Sequence, residues 1–296
     1  MNQHIQLLVR NNSFKAIIHR TLYSLLLHRI LMLPSRTGVN VIYSLSDLPN
    51  IDSPYLICGF PGSGYVGKIA VDHLIQELKA KHLADVYSTS FPPQVLIRTD
   101  GTADLMKNSI FYSKDSNTNI LLLTGDSQPV NPDSEYVLAE EILDIAAKFN
   151  TKHVFTLAAY ITGVFVDKPR IFGTATDADI VKSFYEKNIS TMDVGSITGM
   201  NGLIIGIAKL RGMRGTCLLG ETSGYVVDAK ASKSILETLL SIVGIKIDMA
   251  TLEKRAKDTE MLIKTIEQQM AGRTGRLPEG QQAQPPGKSP NMGYIS

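Results

Sequence analysis

Between residues 39 and 244, short and almost unbroken apolar runs alternate with segments of helical periodicity. This alternation constrains the fold more than any other feature of the chain. Residues 55–60, 120–124, 153–159 and 216–219 read as strands buried on both faces, since neither face carries a polar stripe. Shorter extended runs at 85–90 and 94–98 are separated by Pro92 and Pro93. The intervening segments have helical spacing. One carries Ile69, Leu74, Ile75 and Leu78 inward; another, opened by Pro132, carries Val137, Leu138, Ile142, Ile145 and Ala146. Residues 178–187 (Ile180, Val181 and Phe184 inward), 200–210 and 232–243 complete the set. The expectation is a single α/β domain with a mostly parallel sheet flanked by helices on both faces.

The sharpest local motif is Gly62-Ser-Gly-Tyr-Val-Gly-Lys68, which follows the first strong strand and opens a helix. As G-x-G-x-x-G it suggests a dinucleotide site, with backbone N–H groups at a helix N-terminus facing a pyrophosphate. That pattern needs an acidic residue at the end of the next strand, and Asp85 stands at its beginning. As a phosphate-binding P-loop it needs Ser or Thr after the lysine, where Ile69 stands. The other reading is a tight strand-to-helix turn whose glycines permit positive φ and close packing.

Asp126 and Glu221 fall just past strand ends, where open α/β sheets hold their sites, so an acid/base pair and simple loop hydrogen bonding both fit them. Gly199, Gly202 and Gly206 at helical spacing would let a neighbouring backbone approach. The six histidines and two cysteines form no metal-ligand spacing, so no metal and no cofactor are expected. Cys58 and Cys217 sit in apolar runs and read as small buried hydrophobes in a reducing, cytoplasmic setting. With 30 basic against 28 acidic residues, the net charge of +2 gives no field for nucleic acid. No apolar run is long enough for an integral membrane segment.

The two ends differ from the middle. Residues 1–46 contain no Asp or Glu but include Arg10, Lys15, Arg20, Arg29 and Arg36. This basic extension (1–38) fits an organellar presequence, a membrane-surface helix, or a leader upstream of true initiation at Met32. The core is assigned to 39–246. Residues 247–271 form a C-terminal helix with Leu252, Ala256, Thr259, Ile263, Ile266 and Met270 on one face, packed on its own domain or self-associating as a coiled coil. Gly272 is expected to end it. Residues 272–296, rich in Gly, Pro and Gln, read as a flexible tail. Its tip, Met-Gly-Tyr-Ile-Ser296, regains apolar character beside the carboxyl terminus, as a docking peptide would.

Four segments occur in a characteristic order: Leu-Ile-Cys-Gly-Phe-Pro-Gly-Ser-Gly-Tyr-Val-Gly67, Ile-Phe-Gly-Thr-Ala-Thr-Asp177, Gly-Met-Asn-Gly-Leu-Ile-Ile-Gly206 and Leu-Leu-Gly-Glu-Thr-Ser-Gly-Tyr225. Together they resemble the archaeal proteasome assembly chaperone family, related to one subunit of the eukaryotic assembly chaperone heterodimer. The resemblance implies a fold like that of purine nucleoside phosphorylases, without a retained active site. It further implies homo-oligomers that act as non-enzymatic chaperones for proteasome α subunits.

In that family a hydrophobic–Tyr–any tail docks between adjacent α subunits, with its carboxylate paired to a basic residue. The corresponding partner-binding residues here are Tyr294, Ile295 and Ser296. The sequence departs from the motif twice: Gly293 precedes the tyrosine, and Tyr294 stands one residue early. The alternative function is a nucleotide- or nucleoside-binding enzyme using residues 62–68.

Overall fold

A computed structural model describes residues 38–44, 48–114, 118–192 and 194–274. Residues 1–37 of the basic extension and 275–296 of the tail, with its three candidate docking residues, lie outside the described residues. Eleven strands and six α-helices are present among those described. The strands are β1 (Val39–Tyr43), β2 (Tyr55–Gly59), β3 (Lys81–Ser88), β4 (Val95–Ile97), β5 (Ala103–Leu105), β6 (Asn108–Lys114), β7 (Asn119–Gly125), β8 (His153–Ile161), β9 (Ile171–Ala175), β10 (Ile189–Thr191) and β11 (Arg214–Thr222). The helices are α1 (Val66–Glu77), α2 (Pro132–Ala147), α3 (Ala178–Ser183), α4 (Gly199–Leu210), α5 (Ala229–Val243) and α6 (Ala250–Thr274).

Nine strands form one sheet in the order β1-β3-β6-β7-β2-β8-β11-β9-β10, and β4 pairs only with β5. The centre, β7-β2-β8-β11, is parallel throughout, as its unbroken apolar runs require. Antiparallel strands extend it on both sides: β6, β3 and β1 beyond β7, and β9 beyond β11, with β10 then parallel to β9.

Strand alternation sends each central run to two cores. Leu56, Cys58, Leu121 and Leu123 pack under α2 and α4 with Leu138, Ile142 and Ile204. Ile57, Leu122, Phe155 and Leu157 pack under α1 and α5 with Val71, Leu74, Ile235 and Leu239. Burial of each such side chain is worth about 1.5–3 kcal/mol before chain entropy is set against it. The result is three layers, helices on both faces of a sheet.

Local chemistry fixes the helix starts. Asn131 caps α2 by accepting from the Asp133 N–H at 2.9 Å, with Pro132 in the first turn. Asp228 caps α5 by accepting from the Ala231 N–H at 2.9 Å. Helix α6 runs two residues past Gly272. Its Leu252, Ala256, Thr259 and Ile263 are buried against its own domain, chiefly on α5. Of the stripe, the side chains of Ile266 and Met270 lie outside the described set. Both cysteines are fully buried, and burial pushes the Cys217 thiol up to about 12 and that of Cys58 higher still.

Candidate functional site

The C-terminal ends of the four parallel strands form a crest, and the loops leaving β2, β7, β8 and β11 meet there. Leaving β2, the chain makes one 3-10 turn (Ser63–Tyr65) and enters α1. Gly64 and Tyr65 both adopt left-handed backbone, at φ +62° and +53°. The first is free for glycine; the second is strained for a side chain that remains 46% exposed.

The glycines of the motif serve packing. A Cβ on Gly67 would strike the Leu157 carbonyl of β8, and one on Gly59 would strike the Gly67 carbonyl. Helix α1 therefore lies against β2 and β8 at backbone contact. Two neighbouring loops take the turn's carbonyls: Asp228 N–H donates to Gly64 O at 2.8 Å, and Gln128 Nε2 donates to Pro61 O at 2.7 Å. Gln128 Oε1 in turn accepts from the Met200 N–H at the start of α4 at 3.1 Å. One amide thus ties the β2 turn to a helix on the other face of the sheet.

Lys68 is already engaged. Its Nζ lies 3.0 Å from Asp72 Oδ2 and donates to Thr124 Oγ1 at 3.2 Å, while Thr124 donates to Asp72 Oδ1 at 2.6 Å. The three groups close a ring with no net charge, unlike a P-loop lysine held ready for a phosphate.

The acid wanted by the dinucleotide pattern is also misplaced. Asp85 is in β3, three strands from β2 and so about 14 Å away. It accepts from Ser109 at 2.6 Å, Lys107 at 2.7 Å and His82 at 2.8 Å. Burial raises its pKa, and these hydrogen bonds more than offset the rise, so the carboxyl titrates below its ordinary range.

Asp126 and Glu221 do not meet. They stand at the ends of β7 and β11, again three strands or about 14 Å apart. Asp126 accepts from the Lys107 N–H at 3.2 Å. Glu221, with its side chain 4% exposed, takes both arms of Arg170, Nε at 2.9 Å and Nη2 at 2.8 Å, and the Arg170 N–H at 3.2 Å. Arg170 holds this carboxyl below the usual carboxylate range. Neither acid shares a proton partner with the other, so the pair cannot serve one substrate as acid and base. Of the α4 glycines, Gly202 packs against the Ile197 carbonyl, whereas Gly206 meets open space, contrary to expectation.

Apolar side chains stand exposed on the crest beside the charged Asp167 and Arg170. Val164, Tyr225 and Val227 are 55–75% exposed, and Phe165 meets Tyr225 edge-to-face at 6.5 Å. Lys230 Nζ holds the β8 loop by donating to Val166 O and Asp167 O at 3.2 and 3.1 Å. Arg170, Gln128 and Lys230 carry this architecture without any motif. Asp228, the cap of α5, is acidic directly before a helical run, a signal that the reading of 232–243 as the helix did not use. Among the described residues no group of three or more His, Cys, Asp or Glu could hold a metal, and no helix is long and apolar enough to cross a membrane.

The fold recurs in known structures. PbaB of Pyrococcus furiosus, an archaeal proteasome activator, is 37% identical with a TM-score of 0.73 over 78% of this chain and 99% of that one. PbaA of the same organism, an archaeal homolog of proteasome-assembly chaperone, is 28% identical with a TM-score of 0.65 over 81% and 95%. The uncharacterized protein MJ1210 of Methanocaldococcus jannaschii is 35% identical over 75% of this chain and 86% of its own length. Residues 56–267 match the model of the PAC2 family, which spans the two cores and the crest. The chain belongs to the PAC2 family.

Proposed function

We propose that this protein is a non-enzymatic chaperone that assists assembly of proteasome α subunits. It acts in the cytoplasm as a homo-oligomer and holds its client partly through Tyr294, Ile295 and Ser296. The observation that carries this reading is the likeness to PbaB and PbaA over nearly the whole of their chains. The Lys68–Asp72–Thr124 ring supports it, because the lysine that a P-loop would turn to a phosphate is already engaged. Several tails on one oligomer would raise the effective concentration of each contact.

The test is capture of purified proteasome α subunits by the full chain and by a chain lacking 292–296. Loss of capture with an intact far-UV spectrum is expected; unchanged capture rules out the tail. Equilibrium dialysis with ATP, NAD and nucleosides addresses the enzyme alternative, which tight binding abolished by Lys68→Ala would favour.

A second reading has its own support, since the 37% identical structure is that of a proteasome activator. Here the tail would engage assembled proteasomes. Added to the assembled particle, an activator raises peptide hydrolysis, whereas an assembly chaperone speeds particle formation and leaves hydrolysis unchanged.

A further inference from the structure

The loops that follow β8 and β11 build a shelf on the crest from Val164, Phe165, Tyr225 and Val227. The two loops touch: a Cβ on Gly163 would stand 3.7 Å from the Tyr225 hydroxyl oxygen, and one on Gly224 3.1 Å from Ile161. Lys230, in the first turn of α5, pins the β8 loop through the carbonyls of Val166 and Asp167. Exposed aromatic and branched side chains on fixed backbone suit a protein ligand, because little ordering entropy remains to be lost.

The course of α6 names that ligand. Lys233 Nζ pairs with Glu253 at 3.5 Å, and the Lys230 cation acts on Glu260. Lys230 precedes Lys233 while Glu260 follows Glu253, so α6 runs antiparallel to α5 and returns to the crest. Met261 and Leu262, the next two residues, are exposed apolar groups at that level. Thr274 lies fourteen residues past Glu260, about 20 Å further along the helix axis. Seventeen residues, 275–291, then separate it from the apolar Met292, Tyr294 and Ile295. A coil of that length has an r.m.s. end-to-end distance of about 20–25 Å, which matches the return to the shelf. A matched span gives the tip an effective concentration on the order of millimolar at its own crest. Residues 289–296 carry no charged side chain, so the tip brings none to be desolvated there.

We propose that residues 292–295 of this chain dock on its own crest shelf, an autoinhibitory contact that a client must displace. The competition with a client rests on the tail reading above; the contact itself does not.

The experiment pairs Val227→Cys with Ile295→Cys in the full chain under mild oxidation, and repeats it with Lys246→Cys, at the far end of α5, in place of Val227→Cys. Both natural cysteines are buried, so background crosslinking is low. A disulfide within one chain is expected, forming at least about tenfold faster than at the Lys246→Cys control, as the millimolar local concentration requires. Tyr225→Ser, at an exposed position, should keep the circular dichroism spectrum and slow that disulfide. It should also raise capture of purified proteasome α subunits about three- to tenfold, the factor by which the free fraction of the tail grows. Equal rates at Val227→Cys and Lys246→Cys overturn the contact and leave the tail reading standing. A disulfide between two chains means that the tip crosses to another copy, and overturns it as well. A disulfide within one chain whose loss leaves capture unchanged overturns the competition. Formation of that disulfide in a chain that never captures α subunits supports the contact and sinks the tail reading instead.

Discussion

The carbonyl oxygen of Leu157 in β8 occupies the place where a side chain on Gly67 would begin. A Cβ there would fall well inside the 3.0 Å below which real Cβ atoms essentially never approach a neighbour, and the obstacle is rigid strand backbone. The third glycine of the motif is therefore a packing residue whatever else the turn does.

Gly67→Ala should cost about 3 kcal/mol or more, because α1 must lift from β8 and strain both cores. Gly206→Ala, facing open space in α4, should stabilise by about 0.5–1 kcal/mol through helix propensity alone. Urea melts of the two variants check the pair. Equal effects would show that crest packing does not discriminate between the glycines.

Arg170→Ala should destabilise by about 1–3 kcal/mol, below the about 3–5 kcal/mol for breaking a fully buried pair, since Arg170 itself is mostly exposed. Its loss leaves the Glu221 carboxylate buried with only a backbone N–H as donor. The pH dependence has a definite sign. Glu221 has its pKa depressed in the fold by Arg170, so its stabilisation is present above the unfolded carboxyl value and is lost as pH falls through the folded one. The gap between wild type and Arg170→Ala should thus narrow on acidification. A pH series of melting temperatures reads it.

Lys68→Met should cost no more than about 1 kcal/mol, because Asp72 keeps its hydrogen bond from Thr124 and its carboxylate is a third exposed. The variant should melt close to wild type, so that ligand-binding measurements on it report chemistry rather than misfolding. A large fall in melting temperature would mean that the ring is a structural keystone.

The legible part of the fold was the part where burial on two faces leaves no polar residue to confuse the pattern. Strands β2, β7, β8 and β11 are unbroken apolar runs, and the inward residues of α1, α2 and α3 lie where the spacing puts them. The antiparallel flanks were legible only in part: the extended run 85–90 overlaps β3, but β6 opens on Asn108 and Ser109, and β9 carries Gly173 and Thr174, so neither of these has a clean period. The same holds at the crest. The turn at Gly62 could be read because glycine, strand and helix are consecutive. Arg170 could not, because its partner is 51 residues on, and Gln128 could not, because it joins Pro61 to Met200 across the sheet. The open space at Gly206 is likewise set by what packs nearby, not by its spacing from Gly202.

His153, the first residue of β8, gives a pH prediction of the other kind. Its ring stacks on Phe155 at 4.3 Å, meets Tyr55 edge-on at 6.0 Å, and its Nε2 lies 2.9 Å from the hydroxyl of buried Thr216. Burial, then the nearby Arg214 cation, lowers its pKa from 6.5 to about 4, against a weaker opposing pull from Asp177 and Asp179. In the folded protein the imidazole is therefore neutral across a range in which the unfolded chain binds a proton. The unfolded state takes up that proton as pH falls below 6.5, and the folded state does not until about pH 4. Stability should be full above pH 6.5 and decline between the two values. Partial solvent access to the ring limits the loss to about 1–2 kcal/mol. His153→Gln keeps a hydrogen-bonding partner for Thr216 but cannot titrate. It should be less stable than wild type at pH 8, through lost stacking, yet show a flatter decline between pH 6.5 and 5, above the range where the carboxylates contribute. Parallel pH profiles for the two proteins would mean that the ring is solvated enough to titrate normally in the folded state.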